Sequence, residues 1–192
     1  MLFRSNWEIL DAWREAAADC GIPKIEEFNR GDNFGNAFFQ MNQRRGRRWS
    51  ATKAFLRPAM KRHNLTVVTE AHVQKLLFNK NEQGTRCTGI TVRTPKGVEA
   101  FSANREVLLS AGSIGSPQIL QLSGVGNGAL LQSRSIETQH HLPGVGENMQ
   151  DHLQVRTIYK VSNTVTLNQR VNSLFGLVAM GLEYIEIGRA HV

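Results

Sequence analysis

The spacing of apolar residues near the start of the chain predicts an amphipathic helix. From Trp7 to Ala18 the apolar positions recur at intervals of three and four residues, which would place them on one helical face. Gly21 and Pro23 follow directly, and both residue types commonly end helices. We therefore expect a helix that ends before Gly21.

A long connection is predicted after this helix. Residues 24–48 carry several glycines and asparagines and only one short run, Ala37–Gln40, that could pair in a sheet. Ser50 can cap a helix that runs towards His63, and Pro58 would interrupt its hydrogen-bond ladder. We expect a kinked helix or two short helices there.

The middle of the chain has the pattern of short β-strands separated by turns. We predict that four β-rich segments form a small antiparallel meander: Leu65–Thr69, Val73–Phe78, Cys87–Arg93 and Gly97–Phe101.

A different pattern follows the meander. Arg105–Ser110 contains a continuous apolar run, which predicts a strand covered on both faces, as in a parallel sheet. A helical stretch, Pro117–Leu122, comes next, and two further ordered segments, Leu153–Val161 and Val171–Tyr184, follow an irregular region. The predicted fold class is α/β with α+β elements.

Composition excludes several classes of protein. Apolar residues make up 41% of the chain and charged residues 20%, which is typical of a globular body. The sequence contains no run of eighteen apolar residues and no basic flank followed by an apolar stretch at its start, so within these residues we expect neither a membrane span nor a secretion signal. Cys20 and Cys87 lie far apart, which fits reduced thiols in a reducing compartment.

The net charge is +7, and eight basic residues fall between Arg44 and Arg62. Such a cluster is either a solvated helix face or a site for an anion such as nucleic acid. Trp49, Phe55 and Leu56 alternate with the basic residues at helical spacing, which favours the helix face.

The two termini are unusual at the level of codons. Residues 1–5 and 187–192 can each be written as the translation of a common sequencing-library adaptor, in its two orientations. We expect both ends to be adaptor-derived artefacts and exclude them from the fold prediction. The natural protein would then extend beyond residues 6–186 in both directions.

The segment Ser110–Gly126 is the strongest candidate for a functional site. Small residues after the apolar run let a backbone or a flat ligand approach closely. Ser116 can cap the following helix, Pro117 would occupy its first turn and Gly124 can end it. A strand-to-helix turn with a purely structural role explains the same residues, so both interpretations remain open.

The same turn is similar to the nucleophile elbow of serine hydrolases. Ala111–Gly115 departs from the GxSxG pattern only at its first position, which would make Ser113 the nucleophile. Asp151 and His152 follow in the required order, but neighbouring loop residues rarely orient one another. The hydrolase is therefore an alternative hypothesis.

Other site types find little support in the spacing of the residues. Gly124–Gly126 and Gly144–Gly146 both lack the third glycine of a dinucleotide fingerprint. His140, His141 and the Asp151–His152 pair follow no known metal-ligand spacing, so we predict no metal site.

The residues from Gly112 to Gly126 match throughout the second signature of the glucose-methanol-choline (GMC) flavoprotein oxidoreductases, a long and specific pattern. The chain also resembles choline-dehydrogenase-like members of that family over Arg47–Ser50, Ala54–Ala59, Asn64–Val67 and Leu142–His152. The resemblance covers Asn6 to Tyr184.

This resemblance implies a fragment of a doubly wound FAD-binding domain, over residues 6–152, and the start of the substrate-binding region, over residues 153–186. It implies that the backbone of Val73 meets the adenine of FAD and that Ala111 and Gly112 form the close turn beside the cofactor. Asp151 and His152 match a family motif near the passage into the substrate domain, and no catalytic role is assigned to them.

The resemblance also implies the chemistry. A small primary alcohol, choline-like or other, would be oxidised to an aldehyde by hydride transfer to FAD, with oxygen or a quinone chain as electron acceptor and no nucleic-acid partner. The family's GxGxxG would precede Asn6 and its catalytic histidine would follow Tyr184, so this chain would contain no catalytic residue and be inactive by itself. We expect a cytoplasmic protein, with the inner membrane surface as an alternative location.

Overall fold

The computed structural model describes residues 8–45, 47–82 and 84–187. They divide into two compact units, one from the described parts of 1–66 and 157–192 and the other from Val67–Arg156. The first unit begins with helix α1, Glu8–Asp19, which confirms the predicted helix; Trp7 lies outside the described residues. Gly21 ends it with a left-handed backbone, φ +83°, while Ile22 N–H bonds to Ala17 C=O at 2.9 Å.

The predicted connection after α1 is largely irregular, and side chains hold it to the helix. Asn36 is buried and accepts a hydrogen bond from Arg14 Nε at 3.2 Å through its side-chain oxygen. Its amide nitrogen donates to Ile22 C=O at 2.8 Å, and its backbone forms a parallel bridge with Lys24. Ala37–Gln40, which could have paired in a sheet, forms no strand.

The basic region forms a hairpin and two short helical pieces. Strands β1, Gln43–Arg44, and β2, Arg47–Arg48, pair antiparallel. A π-helical segment, Thr52–Leu56, leads directly into the short helix α2, Arg57–Ala59. Two short pieces were one of the expected outcomes, because Pro58 has no N–H to give to the carbonyl four residues earlier and its ring displaces that carbonyl.

Two helices complete the first unit. Helix α5, Leu167–Val171, begins with a capping box between Thr166 and Gln169, and α6 spans Leu174–Ile187. Leu153–Val161 is irregular, although it was predicted to be an ordered segment. In the part of the chain that the structure describes, none of the helices has both the length and the apolar character needed to span a lipid bilayer.

The second unit is built on the predicted meander. Strands β3, His72–Asn81, β4, Gly84–Thr94, and β5, Gly97–Ser102, form an antiparallel sheet with β4 in the centre. Val92 of β4 is 2% exposed and lies opposite Val73, so it belongs to the core of this sheet. The first of the four predicted strands, Leu65–Thr69, is wrong, because those residues belong to no strand.

A helical layer packs against this sheet. Helix α3, Gly112–Leu122, contacts β3 and is followed by β6, Val125–Gly126, α4, Gly128–Ser133, and β7, His140–His141. β6 and β7 pair in parallel. The mixed α/β class with a small antiparallel meander is therefore confirmed.

The predicted strand at Arg105–Ser110 is wrong in this structure. Residues 106–110 are not assigned to any strand. Val107 and Leu109 face an apolar cleft of about 590 Å³ beside Phe78 and Leu120, whereas Leu108 is 81% exposed. A strand forms only where neighbouring strands bond to its edges, and none of the described strands pairs with this segment.

Candidate functional site

An open cleft lies between strand β3 and helix α3 in the second unit. Its volume is about 740 Å³, which is within the range of small-molecule sites. Val73 from β3 and Ala111, at the start of α3, both line it. Two of the three residues predicted to contact a cofactor thus meet at one cleft, and the third, Gly112, follows Ala111 directly in the chain.

Gly112 combines a left-handed backbone with open space. Its φ is +86°, a conformation that residues with a Cβ rarely adopt. A Cβ built on Gly112 would have no neighbouring atom within 4 Å, so the protein leaves that side of the turn unfilled. The backbone by itself requires glycine here, and the space beside it is additionally available to a ligand.

The turn before α3 is closed by a side chain in an unexpected way. The N–H of Ala111 donates to Ser116 Oγ at 3.0 Å, so Ser116 does not cap the helix as predicted. The helix begins at Gly112, five residues before the predicted start at Pro117, so Pro117 lies in its second turn instead of its first. Because Pro117 lacks an N–H, this position leaves one carbonyl of the first turn without its ladder bond. Gly124 ends the helix region, as predicted, with φ +86°.

A buried hydroxyl connects the two walls of the cleft. Ser123 is 7% exposed, and its Oγ accepts a hydrogen bond from the N–H of Leu76 in β3 at 2.8 Å. The same oxygen donates to Ile119 C=O in α3 at 2.5 Å. Both hydrogen-bonding capacities of the hydroxyl are thereby used between strand and helix.

The charged side chains that line the cleft, among the described residues, are cationic. Lys75 comes from β3 and Arg93 from β4, and His72 lies opposite Arg93 in the antiparallel register. A ligand with negative charge would be favoured next to them. The sequence analysis did not predict that these residues line a site. The signal that could have indicated it is the alternation of basic and apolar residues along the predicted strands.

The geometry around Ser113 does not assemble a hydrolase. Ser113 lies in the exposed first turn of α3. The Asp151 carboxylate accepts a hydrogen bond from the backbone N–H of His152 at 2.8 Å, so this contact does not orient the imidazole. A triad needs a carboxylate on the imidazole and the imidazole on the serine.

The remaining histidine candidates have local roles. His141 Nδ1 accepts a hydrogen bond from the N–H of Gly128 at 3.0 Å, at the start of α4. His140 pairs with Val125 in the β6–β7 ladder. Within residues 8–45, 47–82 and 84–187, no three side chains of histidine, cysteine, aspartate or glutamate come together to hold a metal ion.

The basic cluster between Arg44 and Arg62 is part of the first unit. The Arg44 guanidinium lies over the Trp49 ring, 5.1 Å from its centre, and Lys53 Nζ donates to Arg48 C=O at 3.1 Å. Phe55, one of the apolar residues that alternate with the basic ones, is exposed. These contacts are local, and they are typical of a solvated surface on which side chains stack.

Comparison with known proteins identifies the family. The model of the GMC oxidoreductase family matches residues 3–154. An oxygen-dependent choline dehydrogenase of Photobacterium profundum is 42% identical over 174 residues, which cover 91% of this chain and 29% of that protein. The chain thus spans about three tenths of the length of the curated relative it matches.

Solved structures agree in fold. An FAD-dependent oxidoreductase from Chaetomium thermophilum superposes with a TM-score of 0.80 at 24% identity, over 99% of this chain and 32% of that one. A formate oxidase of Aspergillus oryzae, studied for modification of its FAD, superposes with a TM-score of 0.55 at 28% identity. The match covers 69% of this chain and 23% of that one. None of these matches supports a serine hydrolase or a nucleic-acid-binding module, and the chain belongs to the GMC oxidoreductase family.

Proposed function

We propose that this chain is part of an FAD-dependent enzyme that oxidises a primary alcohol to an aldehyde by hydride transfer to the flavin. The observation that carries the proposal is the cleft between β3 and α3, which Val73 and Ala111 line. Ala111 is followed directly by the open turn at Gly112. Family membership and the resemblance to a choline dehydrogenase support it.

The residues present fit a flat, anionic nucleotide. The cleft has room for one, and Gly112 leaves a position free that a Cβ would occupy. We propose that Val73 contacts the adenine through its backbone and that Ala111 and Gly112 form the close turn beside the cofactor. Lys75 and Arg93 would attract its negative charge. When bound, FAD supplies the acceptor for the hydride.

We propose that residues 6–152 belong to the FAD-binding domain and that residues 153–186 begin the substrate-binding region. The family match to residue 154 and the compact unit that ends at Arg156 support this boundary. We place the base that accepts the alcohol proton outside the described residues, so the isolated chain would not turn over an alcohol.

We propose a small alcohol of the choline type as substrate and oxygen as acceptor, because the relative at 42% identity is named an oxygen-dependent choline dehydrogenase. The proposed location is the cytoplasm, which the two free thiols, Cys20 and Cys87, support. Association with the inner membrane surface is the alternative, and fractionation of cells that produce the intact protein distinguishes the two.

The test is to purify the intact parent protein and record its flavin absorbance. We expect a yellow protein whose flavin band bleaches when choline or another primary alcohol is added without oxygen, and recovers when oxygen is admitted. A tertiary alcohol is the matched control, since it has no hydride on the carbon that bears the hydroxyl. A colourless protein, or a yellow one that no primary alcohol bleaches, would contradict the proposal.

A further inference from the structure

The hydroxyl of Ser123 occupies a special place in the second unit. It connects the outer edge of the three-stranded sheet to the last turn of α3, through Leu76 N–H at 2.8 Å and Ile119 C=O at 2.5 Å. β3 is an outer strand, and this N–H points away from β4. Without Ser123 a buried backbone donor on that edge would lose its partner.

The connected positions adjoin the cleft. Lys75, which precedes Leu76, lines the cleft, and so do Ile119 and Leu122, which flank the helical end of the link. The link therefore lies immediately behind the two walls and does not itself occupy the ligand's space. The link joins β3 directly to α3.

We propose that Ser123 is a positioning residue for the cofactor: its hydroxyl holds β3, with Val73, and α3, with Ala111 and Gly112 at its start, at the spacing that receives the nucleotide part of FAD. This inference rests on the proposed FAD site. A cleft whose walls are fixed in advance binds more tightly, because less ordering is required when the ligand enters.

The experiment compares two substitutions in the intact protein after its flavin has been removed. Ser123→Ala removes the link, whereas Leu131→Ala empties a core position in α4 that is 1% exposed and does not line the cleft. The dissociation constant for FAD is measured by titration at a temperature where both apoproteins are folded, and their midpoints of thermal unfolding are recorded.

We expect Ser123→Ala to raise the FAD dissociation constant about tenfold, because without the link the two walls must be brought to their bound spacing when FAD enters, at a cost comparable to one ordinary hydrogen bond. Leu131→Ala should lower the midpoint of thermal unfolding at least as much as Ser123→Ala does. It should raise the FAD dissociation constant much less than Ser123→Ala. Equal dissociation constants in the two variants would show that Ser123 acts only through stability, and would overturn the proposal.

Other results are interpreted as follows. If Ser123→Ala does not fold, Ser123→Cys takes its place, because a thiol has a similar size but is a weak hydrogen-bond partner, and the same rise is expected. If the unsubstituted protein binds no FAD, the proposed function fails and this inference fails with it. If it binds FAD and the Ser123 variants bind it equally well, only the positioning role is wrong.

Discussion

At the scale of single residues, the backbone conformation of Gly112 is more informative than its small size. Its φ of +86° would require glycine even in a protein without a ligand at this turn. Separately, no atom lies within 4 Å of an added Cβ, so the space beside this turn is open. Gly124 differs, since a Cβ there would clash with Glu137 C=O, so the protein itself fills the space.

We expect Gly112→Ala in the intact protein to lower the free energy of unfolding by about 1–2 kcal/mol, because alanine must adopt a left-handed backbone. Gly144→Ala is the matched control, since Gly144 has neither a positive φ nor a neighbour within 4 Å, and it should cost less than about 0.5 kcal/mol. Urea unfolding measures both, and a cost for Gly144→Ala as large as that for Gly112→Ala would contradict the explanation.

At the scale of elements, the antiparallel meander is the stable frame that carries one wall of the cleft. β4 pairs with both neighbours, and register shifts between Val73 and Lys75 and between Leu77 and Phe78 interrupt the regular ladder of β3. The first of these shifts lies at the cleft, where it changes the direction of the strand. Local irregularity and the candidate site thus coincide.

Burial within the meander predicts a difference between two valines. Val92 in β4 is 2% exposed and Val98 in β5 is 65% exposed. We expect Val92→Ala to reduce the free energy of unfolding by about 2 kcal/mol, from lost apolar burial and a residual cavity. Val98→Ala should change it by less than about 0.5 kcal/mol. Denaturant unfolding measures both changes. Equal losses of unfolding free energy for Val92→Ala and Val98→Ala would show that Val92 does not belong to the core of the sheet.

At the scale of the whole molecule, many large apolar side chains are exposed. Ile158 is 96% exposed, and Leu153, Phe39 and Phe175 are nearly as accessible. Such surfaces are rare on monomeric globular proteins and commonly mark contact surfaces. The chain spans about three tenths of its curated relative, which leaves much sequence in that protein that could cover comparable positions.

We expect the 192-residue chain, produced alone, to self-associate as its concentration rises. Replacing Leu153 and Ile158 together by serine should reduce that association, which sedimentation velocity measures. Replacing the exposed polar neighbours Gln154 and Lys160 by serine is the control and should leave association unchanged. A chain that stays monomeric at every concentration would show that these side chains do not mediate contacts.

Local patterns were sufficient for part of this protein. The helix that became α1, the three paired strands of the meander and the irregular connection after α1 follow from residue spacing, because their periodicity and turn residues act over short distances in the chain. Pro58 likewise acts on its own helical turn. The family was evident from the long motif that ends at Gly126.

The start of α3, the unpaired segment 106–110 and the composition of the cleft could not be obtained in that way. An apolar run becomes a strand only when neighbours bond to its edges, and the position of a helix start depends on a side chain such as Ser116. By itself, the sequence determined the short elements and the family. Tertiary structure alone decided that Val73 and Ala111 line one cleft and that Ser123 bonds to β3, because residues distant in the chain are brought together only by packing of the strand against the helix.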